Sequence, residues 1–164
     1  MQQNINNDEE EHIVSFLQSL NISGSGMTAQ RLRMDVISEN LANIDSTRTQ
    51  DGGPYRRKMV VFSSTNESNT LFNRMLYNSI NDINDSNSTR GVEVSQIIED
   101  EEPFKLAYNP THPDANEDGY VEMPNVDSLK ETVDMMEAVR AYQSNVTAFN
   151  AIKQMASKAL EIGR

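Results

Sequence analysis

The sequence predicts a mainly α fold with a small β insertion. Long N- and C-terminal helices are expected to pair as an antiparallel coiled coil, with a short-stranded antiparallel β region between them. Three observations predict it. Apolar residues recur at alternating three- and four-residue steps near both ends, the two periodic stretches match in length, and the middle of the 164-residue chain switches to period-two alternation between turn formers. The expected organisation is a disordered tail over residues 1–11, terminal helices over 12–44 and 126–164 forming one coiled-coil domain, and a β-rich inserted domain over 45–125. That insertion contains a flexible Asn/Ser-rich segment at 63–90.

Residues 1–7 are rich in Gln and Asn without periodicity, the composition of an unfolded tail. Asp8 then offers an N-cap with Glu11 three residues on, and the carboxylates at 8–11 suit the positive end of a helix dipole. From there Ile13, Phe16, Leu20, Ser23, Met27, Gln30, Met34, Ile37, Leu41 and Ile44 form a heptad seam, all apolar except Ser23 and Gln30. A helix over 12–44 is about 50 Å long at ~1.5 Å per residue. Its weak place is Ser23, Gly24, Ser25 and Gly26, because each Gly costs about 1 kcal/mol relative to Ala in a helix interior. Gly there serves either a kink or break, or a close helix contact.

Ser46, Thr47, Gly52, Gly53 and Pro54 end the helix. Residues 55–62 read as a strand, 91–98 as a half-buried strand with Val92, Val94, Gln96 and Ile98 on one side, 104–108 as another, and 120–123 as a short fourth. Between the first two, Asn and Ser dominate residues 63–89. That composition buries too little apolar surface to fix itself, although Phe72, Leu76, Ser79, Ile80 and Ile83 carry the spacing of a short amphipathic helix. After Pro124, Ser128 and Glu131 have capping-box spacing. Val126, Leu129, Val133 and Met136 open a seam, and after a one-residue phase slip Val139, Tyr142, Val146, Phe149, Lys153, Ala156 and Leu160 continue it towards a stop at Gly163. This helix is about 55 Å long at ~1.5 Å per residue. Two such helices shield each other along one stripe only, and most helical stability comes from tertiary packing. The chain reads as a subunit.

Composition narrows the function. The chain has no Cys, which excludes disulfides, thiolate zinc sites and a Cys nucleophile, and its two His leave little for imidazole chemistry. A net charge of −11 opposes broad attraction to nucleic acid or an anionic membrane. No apolar run approaches the ~18 to 20 residues of a membrane span, and the acidic N-terminus is unlike a cleavable signal. No cofactor is expected, no nucleic acid and no direct membrane insertion.

Four clusters invite chemistry. Asp114, Asn116, Asp118 and Gly119 follow the start of an EF-hand loop, but its twelfth position is Asn125 where a bidentate Glu is needed. A solvated turn between strands is the simpler reading. Arg56, Arg57 and Lys58 are read as the charged outward face of a strand, with a salt contact between subunits as the more useful possibility. Residues 99–102, four consecutive acids, read as a solvated loop. Met27, Met34, Met135, Met136 and Met155 suit ordinary core filling, or packing against non-identical partners.

The string Ile37-Ser38-Glu39-Asn40-Leu41-Ala42-Asn43, followed by Thr47, resembles the N-terminal motif of bacterial flagellar rod and hook proteins. Residues 119–127, with Gly119, Tyr120, Met123, Pro124 and Asn125 as a family signature, are similar to the rod members, and so are residues 26–33, 54–62 and 141–145. The likeness spans nearly everything from Phe16 onward except the Asn/Ser insertion. It implies a non-enzymatic subunit of the flagellar basal body that is exported through the flagellar type III apparatus without a cleaved signal. Assembly would be helical, with other copies and other rod proteins, to carry torque from motor to hook. It also marks Asn40, Leu41, Ala42 and Asn43 as an assembly motif, in which the amides of Asn40 and Asn43 can set register while Leu41 packs. A type III secreted coiled-coil effector or adhesin also explains the helices and the missing signal, but not the paired motifs.

Overall fold

A computed structural model describes residues 2–50, 52–65 and 91–162 of the chain, with side chains at 16–50, 52–65 and 91–161. The order is α1 (Gln2–Ala42), β1 (Lys58–Ser64), β2 (Val92–Glu99), β3 (Lys105–Tyr108), β4 (Tyr120–Met123) and α2 (Ser128–Ile162). The fold is mostly α with a small β region, as expected. The expected short helix around residues 72–83 and the side chain of Ile13 lie outside the described residues.

α1 begins well before residue 12, so helical backbone occupies the stretch where the sequence suggests a tail. Once a helix is nucleated, each further residue adds one hydrogen bond for one residue fixed, which lets a polar stretch continue it. The helix also runs unbroken through Gly24 and Gly26. A Cβ on Gly26 would lie 2.8 Å from the Asn145 side-chain nitrogen, whereas Gly24 faces open space. Of the two readings of this segment, close approach is the one the geometry favours, and only at Gly26.

The β region consists of two separate two-stranded sheets, β1 with β2 and β3 with β4. The second is antiparallel, pairing Lys105 with Met123, Leu106 with Glu122, Ala107 with Val121 and Tyr108 with Tyr120. The turn between β3 and β4 is closed by Asn116, whose Oδ1 accepts from the backbone N–H groups of Asp118 and Tyr120. Gly119 completes it at φ 81°, a conformation a side chain resists, and a Cβ there would press on Tyr108 and Pro110. Of the oxygens that spacing alone likens to a cation loop, that of Asn116 is thus engaged in an Asx turn, and Asp114 accepts from the Thr47 hydroxyl.

The chain divides into two compact units. The first combines Met1–Thr28, Ser63–Glu93 and Ser144–Arg164, and the second combines Ala29–Phe62 and Val94–Gln143. In the first, Ser25 of α1 accepts from the backbone N–H of Val92. In the second, the ladder positions Asp100 against Arg57, and Arg33 of α1 meets Asp134 of α2 at 3.3 Å. The apolar core of the second unit is small: Ala29, Val36, Ile37, Tyr55, Val121, Val126 and Ala138. Beside it lies an unusual amount of buried polarity.

Candidate functional site

Five segments of the second unit deliver polar side chains to one buried joint. β1 and the residues leading into it alternate, so Tyr55 and Arg57 turn inward while Arg56 turns out over the Phe104 ring at 4.4 Å. Asn40 arrives from the last turns of α1, Asp100 from just past β2, Asn125 from the link between β4 and α2, and Glu131 from the first turn of α2. Each is nearly or fully buried, with Asn40 at 1% and Glu131 at 0% exposure.

The Asn40 amide is saturated. Its Nδ2 donates to the Lys58 carbonyl at 2.9 Å and to Glu131 Oε2 at 3.0 Å, while its Oδ1 accepts from the Tyr55 hydroxyl and the Lys58 N–H, each at 2.9 Å. Two donors and two acceptor sites are all that a side-chain amide has. Asn125 accepts from the Arg57 N–H at 2.8 Å and donates to the carbonyls of Asp100 and Glu102. Arg57 spreads its fork over three carboxylates: Nε to Glu131 at 2.6 Å, Nη1 to Asp100 at 3.3 Å and Nη2 to Asp134 at 3.3 Å.

The electrostatics follow. Burial disfavours the Arg57 charge, but the hydrogen bond and charge of Glu131, then those of Asp100, outweigh it and hold the guanidinium above its ordinary pKa. The Glu102 N–H does most to hold Asp100 below the usual carboxylate range, against burial, with Arg57 adding its bond and charge. Burial, followed by the charges of Glu39, Glu131 and Glu99, pushes the Tyr55 hydroxyl up to about 12. Tyr55 stays protonated and donates. A network this complete fixes one arrangement of its segments, because any partner removed leaves a buried group unpaired.

Three expectations are corrected here. Glu131 does not close a capping box with Ser128. Asp127 caps α2 instead, accepting from the N–H groups of Leu129 and Lys130, which lowers its own pKa. The Glu131 carboxylate turns inward because a buried guanidinium is a stronger partner than a terminal N–H. The basic run is not an outward-facing charged strip: Arg57 is buried, Arg56 donates to the Asp100 carbonyl, and Lys58 pairs with Glu39. The acids at 99–102 are not all solvated, since Asp100 is Arg57's partner.

The residues singled out from the sequence divide in the same way. Asn40 is central to the joint, whereas Asn43 bonds locally to the Glu39 carbonyl and to Ser46, and Leu41 and Ala42 are exposed. Among the signature residues, Pro124 and Asn125 are buried in or beside the joint, Met123 is half-buried, Tyr120 is exposed and Gly119 forms the turn. Of the seam residues, Ile37 is buried, and Phe16, Leu20, Met27, Met34, Val139, Tyr142, Val146 and Phe149 are half-buried. Val133, Met136 and Leu160 are exposed. The phase slip in α2 is physical. Glu131 and Ala138 point inward, so Leu129, Val133 and Met136 form a stripe on the outer side, at 78%, 50% and 49% exposure. Tyr55, Arg57, Asp100 and Glu131 were not found from the sequence as a site. The available signal was the alternation of Tyr55 with Arg57, which places an Arg where a core residue belongs.

Among the described residues there is no group of His, Cys, Asp and Glu suited to a metal, and no helix long and apolar enough to cross a membrane. The joint binds segments of the chain to one another, and the outer stripe offers apolar surface, which together describe a structural protein. Comparison with known proteins agrees. Residues 20–48 match the family described as flagella basal body rod protein, and residues 117–162 match the flagellar basal body rod FlgEFG protein C-terminal family. The chain is similar to the flagellar basal-body rod protein FlgC of Bacillus subtilis (strain 168), 52% identical over 89% of this chain and 97% of that one. The same-named protein of Borreliella burgdorferi is 43% identical over 91% and 98%, and that of Salmonella typhimurium is 39% identical over 92% and 100%.

The chain belongs to the FlgC family of flagellar basal-body rod proteins. It is a structural, non-enzymatic rod subunit, and nothing in these matches supports an effector or adhesin.

Proposed function

We propose that this subunit, in the flagellar basal body, joins its neighbours through helical faces that its own fold leaves uncovered, and so passes torque from motor to hook. The observation that carries this is the stripe of Leu129, Val133 and Met136, exposed at the i, i+4 and i+7 positions of α2. Burying such a side chain contributes roughly 1.5–3 kcal/mol, so three of them form a substantial contact. The neighbours are other copies of the chain and other rod proteins, and the terminal helices pair as a coiled coil among them. In the motif at the end of α1, Asn40 fixes the backbone internally, while Leu41 and Ala42 face the neighbour. Delivery to the rod through the flagellar type III export apparatus is part of this reading.

The test is a strain whose only copy carries Val133→Asp and Met136→Asp. Both sites are exposed, so the subunit is expected to accumulate normally while hook-basal bodies disappear from electron micrographs. Normal motility would refute the reading.

A further inference from the structure

We propose that the stripe of Leu129, Val133 and Met136 is covered by the outward side of α1 from a second copy of this chain. This rests on the rod-subunit reading and names the partner of that stripe. In the second unit α1 is buried along Ala29, Val36, Ile37 and Asn40. At about 3.6 residues per turn, Arg31, Met34, Ser38 and Leu41 fall on the other side. Their steps of three, four and three residues make a second coiled-coil seam, distinct from the one turned towards α2 of the same chain. Arg31, Ser38 and Leu41 are exposed and Met34 is half-buried. The stripe on α2 has the matching steps of four and three. Each chain therefore carries two unlike helical seams that face away from its own fold.

Charge and register identify the occupant. Set antiparallel, with Met34 against Val133 and Ser38 against Leu129, the two seams oppose a small side chain to a large one and bring Asp35 of one copy beside Lys130 of the other. Arg31 then lies alongside Met136 and Glu137. Arg31, Asp35, Lys130 and Glu137 are all exposed, and opposite charges flanking a seam set both partner and orientation. Glu137 stands 3.9 Å from Arg33 of its own chain, beyond hydrogen-bond length, so a second cation can share it. Within one chain the two helices keep nearly the same register, since Arg33 meets Asp134 and Asn40 meets Glu131. A neighbouring copy is thus reached by rotation with little shift along the helices, and α1 lies between its own α2 and that of the next copy. The two seams are different patches of the same molecule, so the contact is heterologous. Such contacts propagate as open helical series, as a rod requires, where a symmetric contact would close into a pair.

The absence of Cys allows a direct test. Ser38→Cys and Leu129→Cys chains are produced singly and together in cells that build flagella from them, oxidised, and probed for disulfide-linked dimers in purified basal bodies. The proposal expects a dimer when both variants are present and none from either alone. In strains with a single copy, Asp35→Lys or Lys130→Asp is expected to cut the number of hook-basal bodies per cell about tenfold, and the two changes in one chain to restore it. A dimer formed from Ser38→Cys chains alone would overturn the proposal, as would no dimer in basal bodies that contain both chains, or a double charge variant that assembles no better than the single ones. Each of these results leaves the rod-subunit reading standing. Basal bodies assembled without the chain would sink both.

Discussion

Replacing Arg57 by Met removes the one cation that three carboxylates share. The variant keeps the length and most of the apolar stem, so the change isolates the charge. It deletes a 2.6 Å charge-assisted bond to Glu131, which has no exposure to water, and a 3.3 Å bond to Asp100, itself 8% exposed. The third bond, to Asp134, is at the same 3.3 Å but reaches a partly exposed carboxylate that water can solvate once Arg57 is gone. Leaving buried carboxylates uncompensated costs about 3–5 kcal/mol. Native-state hydrogen exchange on the full chain reads this locally, through the Lys58 amide, which donates to Asn40, and the Asp100 amide, which donates to the Arg57 carbonyl. At about 1.4 kcal/mol per decade, their protection should fall by roughly two to three and a half orders of magnitude. Adding Glu131→Leu to Arg57→Met should recover only the part of the loss that the stranded Glu131 charge causes, since Asp100 stays without its cation and an Asn40 N–H loses its acceptor. A loss of less than about threefold in the single variant would refute a central role for the joint.

The neighbouring predictions follow the same logic. Asn40→Ala should destabilise the second unit by about 2–4 kcal/mol because it strands the Tyr55 hydroxyl and the Lys58 amide, whereas Asn43→Ala should cost about 0.5–1 kcal/mol; denaturant titration of both variants separates them. In an ultraviolet titration Tyr55 should ionise only near pH 12, and Tyr55→Phe should remove that late step. Asp100 has a lowered pKa, so its contribution is complete above the ordinary carboxylate value near 3.9 and is lost as pH falls through the lower native one; acid unfolding should move to higher pH in Arg57→Met. Gln30 occupies a seam position with its Oε1 buried and without a partner among the described residues, so Gln30→Leu should stabilise the chain by about 1–2 kcal/mol in thermal melts.

The long helices were legible because heptad spacing survives in the sequence, and the four strands because alternation and turn residues bracket them. The rim of the fold was legible too, since Asn116 and Gly119 belong to a turn for local backbone reasons. The buried joint was not. Asn40 and Glu131 are separated by 91 residues, and nothing local distinguishes a carboxylate that will meet a guanidinium from one that will meet water. Charged residues read as surface by default, so the acids at 99–102 and the run at 56–58 point outward by sequence, although Asp100 and Arg57 are buried. The slip in the second seam was visible as a number but not as a direction. Glu131 occupies the inward position, and that turns Leu129, Val133 and Met136 away from the fold.

The central claim is that those three residues are uncovered in the single chain because a neighbour covers them. A cryo-electron microscopy map of a rod built from this protein measures it most directly. The account predicts side chains of an adjacent subunit packed on Leu129, Val133 and Met136. A rod in which that stripe faces solvent along its whole length would contradict it.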